Sequence, residues 1–93
     1  MVYEKEKYLI VFTSNYHGYY MEELFRRNNI KNTFRKAPRA VGQSCHTAIY
    51  IQEKDLELAI KLVLNSKILP QGIYEIIPRG SLLDYKKLEI KYK

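Results

Sequence analysis

The chain has one thiol, Cys45, in the run Lys36-Ala-Pro-Arg-Ala-Val-Gly-Gln-Ser-Cys-His46, immediately before the apolar stretch Thr47–Ile51. It stands where a loop enters a strand. From Leu24 to Gln52 the basic residues are Arg26, Arg27, Lys31, Arg35, Lys36 and Arg39, and the window contains no Asp or Glu. The rest of the chain holds ten basic and ten acidic residues, so the whole formal charge of +6 arises from this window. A cationic setting favours thiolate over thiol, and the thiolate is the nucleophile. No other residue type or spacing in the chain suggests a reaction centre. One Cys and two His cannot supply four metal ligands without carboxylates, and no metal-binding spacing is present.

The same residues also have plain structural readings. A lone cysteine is often a small buried hydrophobe. His17 can be a hydrogen-bonded residue at a helix start, and Arg39 can form an ordinary ion pair. The basic window with nine tyrosines can also serve a polyanion, because bases stack on aromatic rings. The RNA-binding form of a four-stranded α+β sheet, however, carries a Gly-aromatic signature on its central strands. Neither Tyr8–Phe12 nor Thr47–Ile51 has it, which argues against specific nucleic-acid binding.

The elements that must position Cys45 follow from periodicity. Ninety-three residues make one domain with one modest core. Tyr8–Phe12 is apolar throughout, as a strand buried on both faces is. Ser14 can cap a helix, whose stripe is His17, Tyr20, Met21, Leu24 and Phe25, ending at Asn28-Asn29. Asn32–Lys36 reads as an edge strand, and Pro38 and Gly42 mark a loop. Thr47–Ile51 is a second central strand. Leu56, Ala59, Ile60, Val63 and Leu64 form a second helical stripe ending near Asn65-Ser66. Leu58 and Leu62 either widen it or form a dimer face. Pro70-Gln-Gly72 is a turn, and Ile73–Ile77 is a strand stopped by Pro78.

The order β-α-β-β-α-β predicts an α+β ferredoxin-like sandwich, a four-stranded antiparallel sheet of order 4-1-3-2 with two helices on one face. Residues 1–78 form the domain and 79–93 a basic C-terminal extension. In the extension, 81–85 suits a helical turn, while Leu88, Ile90 and Tyr92 alternate as an added strand would, pairing with an edge or with a second copy in a homodimer. In this plan the loop before strand three shares an end of the sheet with the loop leaving strand one. Cys45 is therefore expected near Ser14, Asn15 and the start of the first helix, whose N–H groups carry partial positive charge. Arg39 belongs to the same loop, and His17 and His46 are nearby imidazoles. Neighbouring strand residues point to opposite faces, so His17 is better placed than His46 to act on Cys45. The apolar runs are too short to span a bilayer, and the N-terminus lacks a signal-peptide h-region. With one cysteine and no internal disulfide, the expected location is cytoplasmic.

Phe12-Thr-Ser14 followed by His17, the helix ending at Ile30, Pro38-Arg39, Ser44-Cys45 before a strand, and Gly72-Ile-Tyr74 together resemble the Se/S carrier protein-like family, a small bacterial domain family, over about residues 7–77. The chain departs from the family pattern at Thr13 (for Pro), Ala37 (for Thr), Gln43 (for Ser) and His46 (for the Gly after Cys). An imidazole there adds bulk and a titratable group where glycine would let a partner approach. The resemblance implies that Cys45 carries sulfur or selenium as a persulfide or selenosulfide. It places Ser14, His17, Arg39, Ser44 and Cys45 at the motif positions, with Asn15 and His46 beside them. It also implies a TusA-like sulfur-transfer protein or a selenium-metabolism enzyme as partner. Such a protein needs no cofactor and is a carrier rather than a turnover enzyme. The competing class is a non-catalytic binding or assembly module that presents the basic surface of residues 24–52 to RNA or an acidic protein.

Overall fold

The computed structural model describes residues 6–41 and 46–89. Its elements are β1 (Glu6–Phe12), α1 (Asn15–Arg27), β2 (Asn32–Lys36), β3 (Thr47–Gln52), α2 (Leu56–Ser66), β4 (Gly72–Arg79) and β5 (Leu82–Lys87), with a 3₁₀ turn at Glu53–Asp55 leading into α2. The class is α+β. The sheet has five antiparallel strands in the order β2-β3-β1-β4-β5, one more than the four expected from sequence.

The apolar run of β1 forms the centre. Leu9, Ile10 and Val11 are completely buried, and Phe12 almost so. Burying one such side chain contributes roughly 1.5–3 kcal/mol. Alternation divides them between two faces. Ile10 and Phe12 join Ile49, Ile51 and Ile73 under both helices, where Met21, Phe25, Ala59 and Val63 complete the main core. Leu9 and Val11 face the other way, toward Ala48, Tyr50, Tyr74 and Val41, with Ala37, Ile76 and Tyr85 around them. Among the described residues, no helix covers this second face. It is sealed by tyrosine rings and by the start of the β2–β3 connection.

Helix α1 starts where sequence placed it. Ser14 is the N-cap, and its Oγ accepts a hydrogen bond from the His17 N–H at 3.4 Å. The helix stops at Asn28. Asn29 then takes a positive φ of 63°, and the Ile30 N–H returns to the Phe25 carbonyl at 2.9 Å, with Ile30 buried. The buried stripe differs from the expected one: it is Gly18, Met21 and Phe25, while Tyr20 is exposed. Gly18 is the reason. A Cβ at that position would lie 2.7 Å from Cε1 of Phe34 and 2.8 Å from Oγ1 of Thr47, so the helix backbone rests directly on the sheet. In α2, Leu62 packs on the core and Leu58 is exposed.

Pro78 does not end β4, which runs on to Arg79. The Leu88 N–H bonds to the Ile73 carbonyl, so odd-numbered residues of β4 face β5 and even-numbered ones face β1. Among the described residues, β1 pairs with β4 at residues 72–75 only. The N–H that Pro78 lacks therefore has no ladder partner to lose among the described residues. The expected helical turn at 81–85 is instead a hairpin. Gly80, at φ 60°, and Ser81 connect paired Arg79 and Leu82, as in a two-residue turn with glycine first. The strand of the extension is thus Leu82–Lys87, and Ile90 and Tyr92 lie outside the described residues.

Arg35 holds one side of the open face. Its guanidinium lies 3.9 Å from the Tyr50 ring centroid and donates to Glu6 at 3.3 Å, while the Thr33 hydroxyl donates to the other Glu6 oxygen. Burial pushes the Tyr50 phenol above its ordinary 10.0, against a lowering by Arg35 and with smaller raising contributions from Tyr85 and Glu6.

Two outcomes follow. In an ordinary helix, Gly→Ala stabilises by roughly 0.5–1 kcal/mol. Gly18→Ala should instead destabilise by about 1–2 kcal/mol through overpacking, read as a lower urea midpoint at unchanged m-value. Tyr50 should ionise above the ordinary phenol value of 10.0. Because its folded pKa is raised, its contribution is intact below the unfolded value and lost as pH rises through the folded one. Alkaline ultraviolet titration of Tyr50→Phe should lack a phenol that ionises above 10.0, and its stability should fall less steeply at alkaline pH than the parent's.

Candidate functional site

Three element ends meet at one end of the sheet. Thr47, the first residue of β3, pairs with Phe12 on one side and Lys36 on the other. The first turn of α1 rests on it through Gly18. The Ala37 N–H donates to the His46 carbonyl at 3.1 Å, closing the base of the β2–β3 connection. Cys45 and Ser44, the thiol and the serine before it, lie outside the described residues. Their described flanks, Val41 and His46, are at this end.

The structure brings Ser14, Asn15 and His17 together as the cap and first turn of α1. Asn15 is exposed and His17 half-buried, with the Tyr16 ring tilted against the imidazole at 5.9 Å between centroids. No acidic residue occupies the first turn, so its partial positive charge is uncompensated within the helix. His46 is half-buried at the strand entrance. Arg39 is exposed in a turn closed by the Val41 N–H donating to the Pro38 carbonyl at 3.1 Å. That turn is anchored by buried Val41 in the cluster opposite the helices. Arg39 and the first turn of α1 thus share an end of the sheet, while their anchors are on different faces. Arg39 makes no hydrogen bond or ion pair with another described residue.

The basic window is not one surface. α1 runs away from the Cys45 end, so Arg26 and Arg27, in its last turn, and Lys31 beyond it lie toward the far end. Arg26 pairs with Glu22 at 3.2 Å, Arg27 with Glu23 at 3.1 Å and Arg35 with Glu6 at 3.3 Å. All three acids precede the window in sequence. Near the strand entrance the cations are Lys36 and Arg39. The tyrosines also divide. Tyr50 and Tyr74 lie buried on the open face, and Tyr16, Tyr19 and Tyr20 are exposed on α1, Tyr19 leaning on Phe34 at 4.7 Å between centroids.

Sequence reading missed Thr47 and Gly18. Thr47 is buried, and its hydroxyl has no hydrogen-bond partner among the described residues; it was read only as a strand residue. Gly18 carries no hydropathy signal, yet a glycine beside the helix stripe, one residue after His17, marks a close backbone approach. Among the described residues, no three His, Cys, Asp or Glu side chains are grouped to hold a metal ion, and no helix is long and apolar enough to cross a membrane.

No curated protein and no solved structure matches the chain. A family model does, across residues 7–75, which span β1 through the pairing region of β4 and include the whole Cys45 loop. The chain belongs to the family described as Putative Se/S carrier protein-like.

Proposed function

We propose that the protein carries sulfur or selenium on Cys45. The thiolate attacks the outer sulfur of a donor persulfide, R–S–SH. A new S–S bond forms to Cys45, the old one breaks, and the donor sulfur leaves as thiolate, so the exchange needs no external oxidant or reductant. A partner thiol then takes the terminal sulfur by the same exchange. With a donor selenosulfide, R–S–SeH, the thiolate attacks selenium, the donor S–Se bond breaks, R–S⁻ leaves and a selenosulfide forms on Cys45.

The observation that carries this reading is the meeting of the β3 entrance with the acid-free first turn of α1 over Thr47. The strand entrance that follows the family's cysteine in sequence is thus at a helix start, with Lys36 and Arg39 as the cations of the preceding connection. Ser14, Asn15 and His17 supply the capped turn, Ser44 and His46 flank the thiol in sequence, and the βαββαβ part of the sheet, a ferredoxin-like plan, is the scaffold. These groups favour an anionic sulfur. The partner class is a TusA-like sulfur-transfer protein or a selenium-metabolism enzyme, in the cytoplasm. Division of the basic window between two ends of the molecule weighs against the alternative of a broad polyanion-binding surface.

Cys45 should alkylate in the folded state with an apparent pKa below the free-thiol value of about 8.5. After incubation with a persulfide donor, mass spectrometry should show a reducible adduct of one sulfur, absent from Cys45→Ser. A folded thiol inert to iodoacetamide at all pH values would end the carrier reading.

Arg39→Ala should raise that apparent pKa and slow alkylation at neutral pH several-fold, with no change in the thermal melt. Equal rates in the two proteins would remove Arg39 from the site.

A further inference from the structure

We propose that the outer edge of β5 is a homodimer interface, in which two copies pair antiparallel about Tyr85 and join their sheets. The proposal stands independently of the carrier reading. Among the described residues, β5 is the last strand of the sheet, hydrogen-bonded on one side only. The Leu88 N–H points inward to the Ile73 carbonyl. Backbone groups alternate along a strand, so Leu83, Tyr85 and Lys87 present their N–H and C=O groups outward. β5 contains no Pro, Gly or bulge to block a second ladder. Leu82 and Leu83 are large apolar residues exposed by 73% and 54%.

Charge selects both occupant and register. Pairing about Tyr85 sets Asp84 opposite the partner copy's Lys86, twice by symmetry. Leu82 then meets the second Leu88, Leu83 lies along the stem of the second Lys87, and the two Tyr85 rings meet on the open face. Shifting the centre to Asp84 sets carboxylate against carboxylate. Centring on Lys86 or Lys87 sets ammonium against ammonium. Directly opposed like charges are destabilising and opposite charges stabilising, so one register stands out. Within the chain Asp84 pairs with Arg79, and Lys86 lies opposite Glu75. Both side chains are on the exposed strand and remain accessible to the second copy. The other edge, β2, offers cations but no acid, so no register there gains an ion pair.

A single strand pair buries less than the usual interface of about 1,600 Å², so a dissociation constant on the order of 100 µM is expected. Sedimentation equilibrium of the full chain from 10 µM to 1 mM, taken as orders of magnitude bracketing that value, should show mass rising toward twice 11.1 kDa. Asp84→Lys and Lys86→Asp should each weaken association about tenfold or more through like-charge opposition. The double charge swap should recover most of the loss, with folding checked by circular dichroism. Loss of the intrachain Arg79 pair alone would show no such recovery. Amides of Leu83, Tyr85 and Lys87 should gain exchange protection with concentration, while Asp84 and Lys86 stay protected throughout. A monomer at every concentration overturns the proposal. So does a dimer indifferent to both single charge reversals, or one whose swap fails to recover while folded.

Discussion

β1 is buried on both faces, yet helices cover only one of them. Everything else answers that constraint. On the helix side, Ile10 and Phe12 are closed over by Met21, Phe25, Ala59 and Val63. On the other side, Leu9 and Val11 need a cover from within the sheet and its loops. Tyr50 and Tyr74 flank Leu9 in register from β3 and β4, so two large rings close over one aliphatic side chain. Arg35 lies against Tyr50 and is held by Glu6. Val41 closes the corner near the Cys45 loop. The tyrosine content therefore serves first as a core made of side chains long enough to cover their neighbours, with one polar end each. The Tyr74 hydroxyl illustrates this by donating to Gln71 at 3.1 Å.

The same constraint ties the candidate site to the core. The connection leading to Cys45 is fixed before the thiol by Val41 on the open face and after it by His46, whose carbonyl accepts from Ala37. Thr47 follows on the helix face, under Gly18. The Cys45 connection thus runs between Val41, buried in the open-face cluster, and Thr47, buried under Gly18 on the helix face. A change at Val41 or Gly18 would act on the two described ends of this connection.

What was legible in the sequence was what is written locally. Tyr8–Phe12 and Thr47–Ile51 announce themselves as central strands because burial on both faces leaves no polar alternation. Ser14 and Asn28 mark α1 because capping is a short-range interaction. β5 was misread because its burial pattern is nearly all exposed, so hydropathy has no period to show. The Gly80-Ser81 hairpin turn was the available signal. The α1 stripe was misassigned because Gly18, its closest contact with the sheet, has no side chain to count. Tyr20 looked apolar by composition and is turned outward. Pro78 was taken as a stop because its missing N–H matters only where a neighbour strand waits for it. Whether β1 reaches that far is a question of register, which no local pattern answers. Cys45, Ser44 and their chemistry stay with the family membership and the flanking geometry.

Charge shows the same gap between chain order and space. Six cations without an acid in 29 successive residues suggest a single field around the thiol. Helix α1 breaks that inference by carrying Arg26 and Arg27 along its length, away from the strand entrance, and its own Glu22 and Glu23 neutralise them one turn earlier. Such exposed i, i+4 pairs contribute only about 0.3–0.5 kcal/mol to stability. Their larger effect is on the field, because each converts a net charge into a short dipole. Lys36 and Arg39 are left as the cations of the Cys45 connection, and a sulfur anion at the strand entrance would be served by those two charges together with the uncompensated first turn of α1. That is a local, directional setting rather than a diffuse positive surface. It suits a small anion held at one point better than a polyanion that must be followed across the protein.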